Sequence, residues 1–272
     1  MKQFVRVQQG KAVIPALIGD AGLMDLRPLA SDITPDTIAS GILTEVNAAA
    51  LKPLAGEVRY LAPIHGIRQI SATGFNYKKH IEEMRVPTPT EPELFLKSML
   101  SLTGPFDPIQ RGPNAGVELD WETELAIVVG REVQDIRADQ AVDYIFGYLC
   151  LNDVSDRSTQ VDAEHLQHLV RAKSRPTYCP IGPYLATDID PMNLEVWTKV
   201  NGRYEQQGNT SDMLFPVYEM LAYFSRHMRM VPGDILATGT PPGMGKNRFL
   251  AVGDTLECGI SHLGVQRHEI VA

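Results

Sequence analysis

The chain has 272 residues, 44% of them hydrophobic and 21% charged, and a formal net charge of -8 at pH 7. It can therefore bury a full core, with room for one large domain and a small companion. The acidic balance argues against a nucleic-acid footprint or an anionic membrane partner, and no apolar run approaches the roughly 20 residues of a membrane span.

Residues 1 to about 60 read as short strands at 3–7, 12–17 and 22–26, then helical spacing over 36–51. Pro53, Gly56, Pro63 and Gly66 mark a junction, which predicts a small N-terminal α/β module over 1–66 and a larger domain over 67–272. A strand at 67–72 leads through Gly74-Phe75-Asn76-Tyr77 to a short helix at 78–85, stopped by the proline-punctuated 86–90. We expect that helix to be mobile. Strands at 93–99 and 118–129 precede a helix at 139–146 and a strand at 147–151 ending on Asn152-Asp153. Beyond a polar stretch with helical spacing at 163–170, strand character returns at 179–186. Asn201-Gly202 is a type I′ hairpin signal between 195–200 and 203–207. Met213, Val217, Met220, Leu221, Phe224 and Met228 form one apolar stripe on a helix over 211–228. The remainder reads as strands, at 235–238 and 255–260, between glycine and proline turns. The opening MKQFVRVQQGKAV lacks a signal peptide's apolar block, so a cytoplasmic location is expected. Cys150, Cys179 and Cys258, odd in number and set among apolar residues, are expected to be reduced and buried.

The most informative stretch is VELDWETELAIVVG, residues 117–130. In a strand, Glu122 and Glu124 share one face, directly before the core-like run 125–129. Two carboxylates side by side repel, and a divalent cation resolves the conflict, so removing either should relieve the metal-free protein. The alternative is a solvated strand end whose acids, Glu118 and Asp120 included, face water. Asp153 gives a third acid at the edge of an apolar strand. Three carboxylates suit Mg²⁺ or Mn²⁺, whereas zinc would call for a His/Cys cluster that is not evident here. Asn-Asp at a strand end is also an ordinary turn or cap. His80 and Glu83 lie one helical turn apart, so the carboxylate can orient the imidazole as a general base; the plain alternative is a surface ion pair. Lys173 is a candidate oxyanion stabiliser or a solvated lysine. Gly239-Thr240-Pro241-Pro242-Gly243 offers backbone N–H groups and a hydroxyl but lacks the ending of a phosphate loop.

Together GFNYKKHIEEM, ELFLK, LDWETELAIVVG, GYLCLNDVSDR, CPIGPYL, VNGRYEQQGNTSDMLF and PGDILATGTPPGMG, in this order, resemble the fumarylacetoacetate hydrolase family over about residues 67–272. The resemblance implies an α+β, β-rich fold with a mixed β-roll catalytic domain that forms a homodimer. It implies metal ligation by Glu122, Glu124 and Asp153, a His80–Glu83 dyad that activates water, and substrate contacts from Lys173, Gln160 and Thr240. The chain departs from the family at Asp156 and Ser158, where many members read NDVSARD, and at Arg175 and Pro176, where many read KSFDT. Phe75 stands where the acylpyruvase branch often carries Arg. The implied reaction is metal-dependent hydrolysis of a C–C bond in a 2,4-diketo acid. Alternatives are an isomerase, decarboxylase or hydratase acting on a related 2-oxo acid, and a non-catalytic member; the intact acids and dyad argue against the last.

Overall fold

The computed structural model describes residues 1–113, 116–159, 168–245 and 248–272. Its larger sheet has 11 strands. From one edge the order is Gly22–Asp25, Ala12–Gly19, Lys2–Gln9, Cys179–Thr187, Ile145–Asn152, Thr123–Val129, Ile235–Ala237, Ile70–Ala72 and Phe95–Lys97. Arg59–Leu61 pairs in addition with Lys2–Gln9, and Leu102–Thr103 with Cys179–Thr187. Five strands make the second sheet, in the order Arg203–Asn209, Glu195–Val200, Thr255–Ile260, Gly264–Val271 and Ile109–Gln110. Among the described residues, no helix is long and apolar enough to cross a membrane.

Thr123–Val129 explains the apolar run read in the sequence. It is sandwiched between neighbouring strands and fully buried, with both faces in cores. Leu125, Ile127 and Val129 join the core built with Val196, Leu256 and Ile260 of the second sheet and Phe224 of the Val217–His227 helix. Ala126 and Val128 face the opposite core, with Leu149, Leu151, Ile181 and Leu185. A strand buried on both faces loses the apolar/polar alternation of a half-exposed one. The first strand continues the same sheet, with Lys2 opposite Thr187 and Phe4 opposite Leu185. The three cysteines are buried and free; burial pushes the Cys179 and Cys258 thiols up to about 12.

Several elements end where local chemistry overrides periodicity. Residues 36–51 do not make one helix: Pro35–Ala39 is a single helical segment, Gly41 turns at φ +75°, and Ala48–Ala50 is a 3₁₀ turn. The apolar stripe expected over 211–228 becomes α-helical only at Val217–His227, after a 3₁₀ turn at Thr210–Asp212, because Pro216 disfavours a helical residue before it. Ala138–Tyr144 is 3₁₀ rather than α-helical. The expected strand 118–129 is two strands. Leu119–Asp120 pairs with Ser155–Asp156, and the chain then crosses Trp121 and Glu122 into Thr123–Val129. The hairpin turn is as read, with Asn201 at φ +50° and Gly202 at φ +78°.

Candidate active site and metal centre

Register places the acids. Thr123 lies opposite Asn152 and Glu124 opposite Leu151, so the start of one strand meets the end of its neighbour. Asn152-Asp153 then clamps the intervening backbone: Glu122 N–H donates to Asn152 Oδ1 (2.9 Å) and Asp153 N–H to Glu122 O (2.8 Å). The dipeptide that reads as an ordinary turn therefore fixes the third acid beside the first two. Glu122, Glu124 and Asp153 are 7%, 1% and 0% exposed, and each offers a carboxylate oxygen within 4.8 Å of the others. The solvated strand end is excluded.

Their surroundings differ. Lys173, ending the His168–Lys173 helix, donates from Nζ to Glu122 Oε2 and Asp153 Oδ2, both at 2.7 Å. Arg157 donates to Glu122 Oε1 at 2.5 Å and to Asp120 Oδ2 at 2.8 Å. Lys97 Nζ bonds Asp153 Oδ1 and the Lys173 carbonyl. Burial would raise the Glu122 carboxyl, but the Lys173 and Arg157 cations overcome it and hold the group at about 2. Glu124 accepts from Gly239 N–H (2.8 Å) and pairs with no cation among the described residues. Burial, then the charges of Asp153 and Glu122, push its carboxyl well above the usual range. An all-oxygen set of three buried acids, one of them driven toward protonation by its neighbours, fits a hard divalent cation.

The dyad sits over the same cavity. His80 Nδ1 lies 3.3 Å from Glu83 Oε2, which also accepts from Gly243 N–H at 3.2 Å. Phe75, at φ +46°, stacks on the imidazole with ring centroids 5.7 Å apart. Burial lowers the His80 pKa, against the opposing pull of Glu122 and Glu83. Preceding the dyad, Asn76 ties three segments: its amide donates to Phe215 O and Thr238 O, and its Oδ1 accepts from Phe215 N–H. The cavity, about 170 Å³, is lined by Phe75, His80, Glu122, Glu124, Lys173 and Thr240, among others. Thr240 donates its hydroxyl to Thr123 O (2.9 Å) while facing that space. A larger cavity of about 700 Å³, around Tyr223 and Arg226, contains none of these groups. We locate the chemistry in the smaller one, where acids, cations and histidine converge.

Seven of the eight predicted site residues thus gather in or beside one cavity. The eighth, Gln160, lies outside the described residues. Sequence reasoning missed Lys97 and Asp120 as members. A usable signal for Lys97 was its place two residues after Phe95, on the face opposite the exposed Leu94 and Leu96. The departures at Asp156 and Ser158 satisfy each other, Ser158 donating to Asp156 Oδ1 from N–H and hydroxyl at 3.1 and 2.6 Å. Neither these two nor Arg175 lines the cavity.

A β-rich fold with a buried acid triad suited to a divalent cation, beside an oriented histidine, defines a class of small-molecule enzyme. The family profile described as fumarylacetoacetate (FAA) hydrolase C-terminal matches residues 69–271, and the chain belongs to the fumarylacetoacetate hydrolase family. It is 36% identical over 277 aligned positions, covering 98% of this chain and 95% of the relative, to a 2,4-didehydro-3-deoxy-L-rhamnonate hydrolase of Sphingomonas sp. strain SKA58. The fumarylacetoacetate hydrolase structure from Exiguobacterium antarcticum superposes with TM-score 0.90 at 33% identity over 100% of both chains. A maleylpyruvate hydrolase from Sphingobium sp. SYK-6, in complex with manganese(II) and pyruvate, superposes with TM-score 0.82 at 28% identity, covering 99% of this chain and 98% of that one. Relatives of this chain are named as hydrolases, as isomerases and as an oxaloacetate tautomerase.

Proposed function

We propose that this protein is a cytoplasmic, homodimeric, Mg²⁺- or Mn²⁺-dependent hydrolase that cleaves the C3–C4 bond of a 2,4-diketo acid. The observation that carries the reading is the convergence of Glu122, Glu124 and Asp153 with the His80–Glu83 dyad in or beside one cavity. Glu122, Glu124 and Asp153 would hold the cation, which when bound supplies Lewis-acid stabilisation for charge developing on the 2-oxo acid. His80 accepts a proton from water as the hydroxide adds to C4, and Glu83 holds the ring in the tautomer that leaves a basic nitrogen facing the cavity. Lys173 stabilises negative charge on the attacked carbonyl oxygen. The C3–C4 bond then breaks with its electron pair moving to C3, and protonation there completes a 2-oxo acid and a carboxylic acid. Gln160 and Thr240 are proposed substrate contacts.

Phe75 gives the cavity an apolar wall where a guanidinium would grip a short substrate's carboxylate. The preferred substrate is therefore longer than acetylpyruvate, and Phe75→Arg shifts preference toward the short one. The test is a panel of 2,4-diketo acids and oxaloacetate, assayed for 2-oxo acid release with Mg²⁺, with Mn²⁺ and after chelation. Metal-dependent cleavage, fastest for a longer diketo acid, is expected. Acetylpyruvate cleaved as efficiently as any longer substrate would falsify the length preference. The names of several relatives favour a second reading, isomerisation or tautomerisation of a 2-oxo acid at the same site. Oxaloacetate tautomerisation without any C–C cleavage across the panel would establish it instead.

A further inference from the structure

Among the described residues, the cavity contains one acid that the proposed reaction does not use. Glu93 faces it beside Gly74, Phe75 and Phe95. A Cβ on Gly74 would come within 2.6 Å of Glu93 Oε2, so this glycine makes room for the carboxylate against bare backbone. Among the described residues Glu93 makes no hydrogen bond or salt bridge. Its place along the wall is set by alternation. Glu93, Phe95 and Lys97 share the inner face, while Leu94 and Leu96 are 37% and 43% exposed. Lys97 reaches Asp153 at the metal end, and the Phe95 ring lies 5.5 Å from Lys173 Nζ. Glu93 lies two residues before the Phe95–Lys97 strand, at the end away from Lys97. Phe75, Met84 and Leu169 line the same cavity as Glu93 and the acids.

We propose that Glu93 is a specificity-determining residue: it accepts hydrogen bonds from hydroxyl groups on the substrate tail and rejects a tail that ends in a second carboxylate. This rests on the reading of the chain as a 2,4-diketo acid hydrolase, and it narrows the substrate class to diketo acids with a polyhydroxylated tail. An ionised acceptor makes the stronger hydrogen bonds to hydroxyls. The same charge disfavours a like charge brought beside it, so the residue selects both for and against.

The test is calorimetric binding to the Mn²⁺-loaded protein of three six-carbon 2-oxo acids that hydrolysis does not consume: a 2-oxo-3-deoxyhexonate, 2-oxohexanoate and 2-oxoadipate. Unmodified protein should bind the hydroxylated acid about 10- to 100-fold more tightly than 2-oxohexanoate, the range expected for hydrogen bonds to a charged acceptor. It should bind 2-oxoadipate most weakly. Glu93→Gln keeps an acceptor and removes the charge, so 2-oxoadipate should gain the most. Glu93→Leu should lose the preference for hydroxyls. Equal affinities in the unmodified protein, variants that shift all three ligands alike, or no binding of any of them overturn the assignment. The expected ranking in a protein that cleaves no diketo acid keeps Glu93 in this role and removes the hydrolase reading instead. Thermal unfolding of the isosteric Gln variant checks that the fold is intact.

Discussion

Glu122 meets Lys173 and Arg157; Glu124, beside it in the same cavity, meets the Gly239 N–H and the negative charges of Asp153 and Glu122. The two acids are two residues apart and both buried, yet one is held at about 2 and the other driven well above the usual carboxylate range. Burial sets the cost of charge in both places, and the partners decide its sign. A divalent ion would therefore be recruited chiefly by the acid that lacks a cation, while the paired acid keeps the site organised without metal.

The largest effect expected from breaking this pair is on metal-dependent turnover. Glu122→Ala and Glu124→Ala should each weaken metal affinity at least about 100-fold, more than an outer contact would, and abolish activity at modest Mg²⁺. Full turnover by either variant in a metal titration refutes the ligand assignment. His80→Asn should lower kcat by about 100- to 10,000-fold, the range for loss of a general base, with little change in metal affinity.

In the metal-free protein the two acids should respond with opposite signs. Glu122→Gln leaves buried cations short of a partner and should cost about 3 kcal/mol. Glu124→Gln removes a repelled group and should hold or raise stability. The sequence-based expectation that removing either acid brings relief thus applies to Glu124 alone. Chemical denaturation of both variants with chelator present tests the contrast, and a shift of the same sign in both rejects it.

Linkage gives a smaller, pH-dependent form of the same comparison. Glu124's folded pKa lies above its unfolded value, so its contribution is fully present below the unfolded value, near pH 4.3, and is lost as pH rises through the folded pKa. Thermal unfolding of chelated protein should show stability declining across that window, with Glu124→Gln and saturating Mn²⁺ each flattening the trend. His80, lowered by burial, stays a neutral base below histidine's ordinary 6.5, so the acid limb of kcat should fall below that value. Glu83→Gln removes a group that favours the protonated ring and should move the limb lower still. The smallest effect concerns residues 74–92, which we propose order as a lid over bound 2-oxo acid. Hydrogen exchange with and without oxalate should show added protection there, and equal protection in both states argues against it.

The family order of motifs and the Leu125–Val129 run made the β-rich fold legible, because a doubly buried strand and a type I′ turn are specified within a few residues. The acids and the dyad were legible for the same reason, as spacings of two and three. Their electrostatic roles were not. Lys97, Arg157 and Lys173 reach the acids from 20 to 56 positions away, a separation that periodicity does not report. The helix expected over 36–51 failed at Gly41, whose positive φ ended a pattern that hydrophobic spacing alone would have continued.

The pairing of Lys2–Gln9 with Cys179–Thr187 has a consequence for synthesis. The opening hairpin, Lys2–Gln9 with Ala12–Gly19, can form as soon as it leaves the ribosome. Arg59–Leu61 covers Arg6–Gln8 soon afterwards, but the partner of Lys2–Phe4 is Cys179–Thr187, made some ten seconds or more later at ordinary elongation rates. Throughout that interval the Lys2–Phe4 part of the edge and the apolar side of Phe4 and Leu17 await their partners. The start of this chain is thus the segment with the longest exposure to premature pairing, and holding factors that bind apolar strands early in translation should raise its folding yield most.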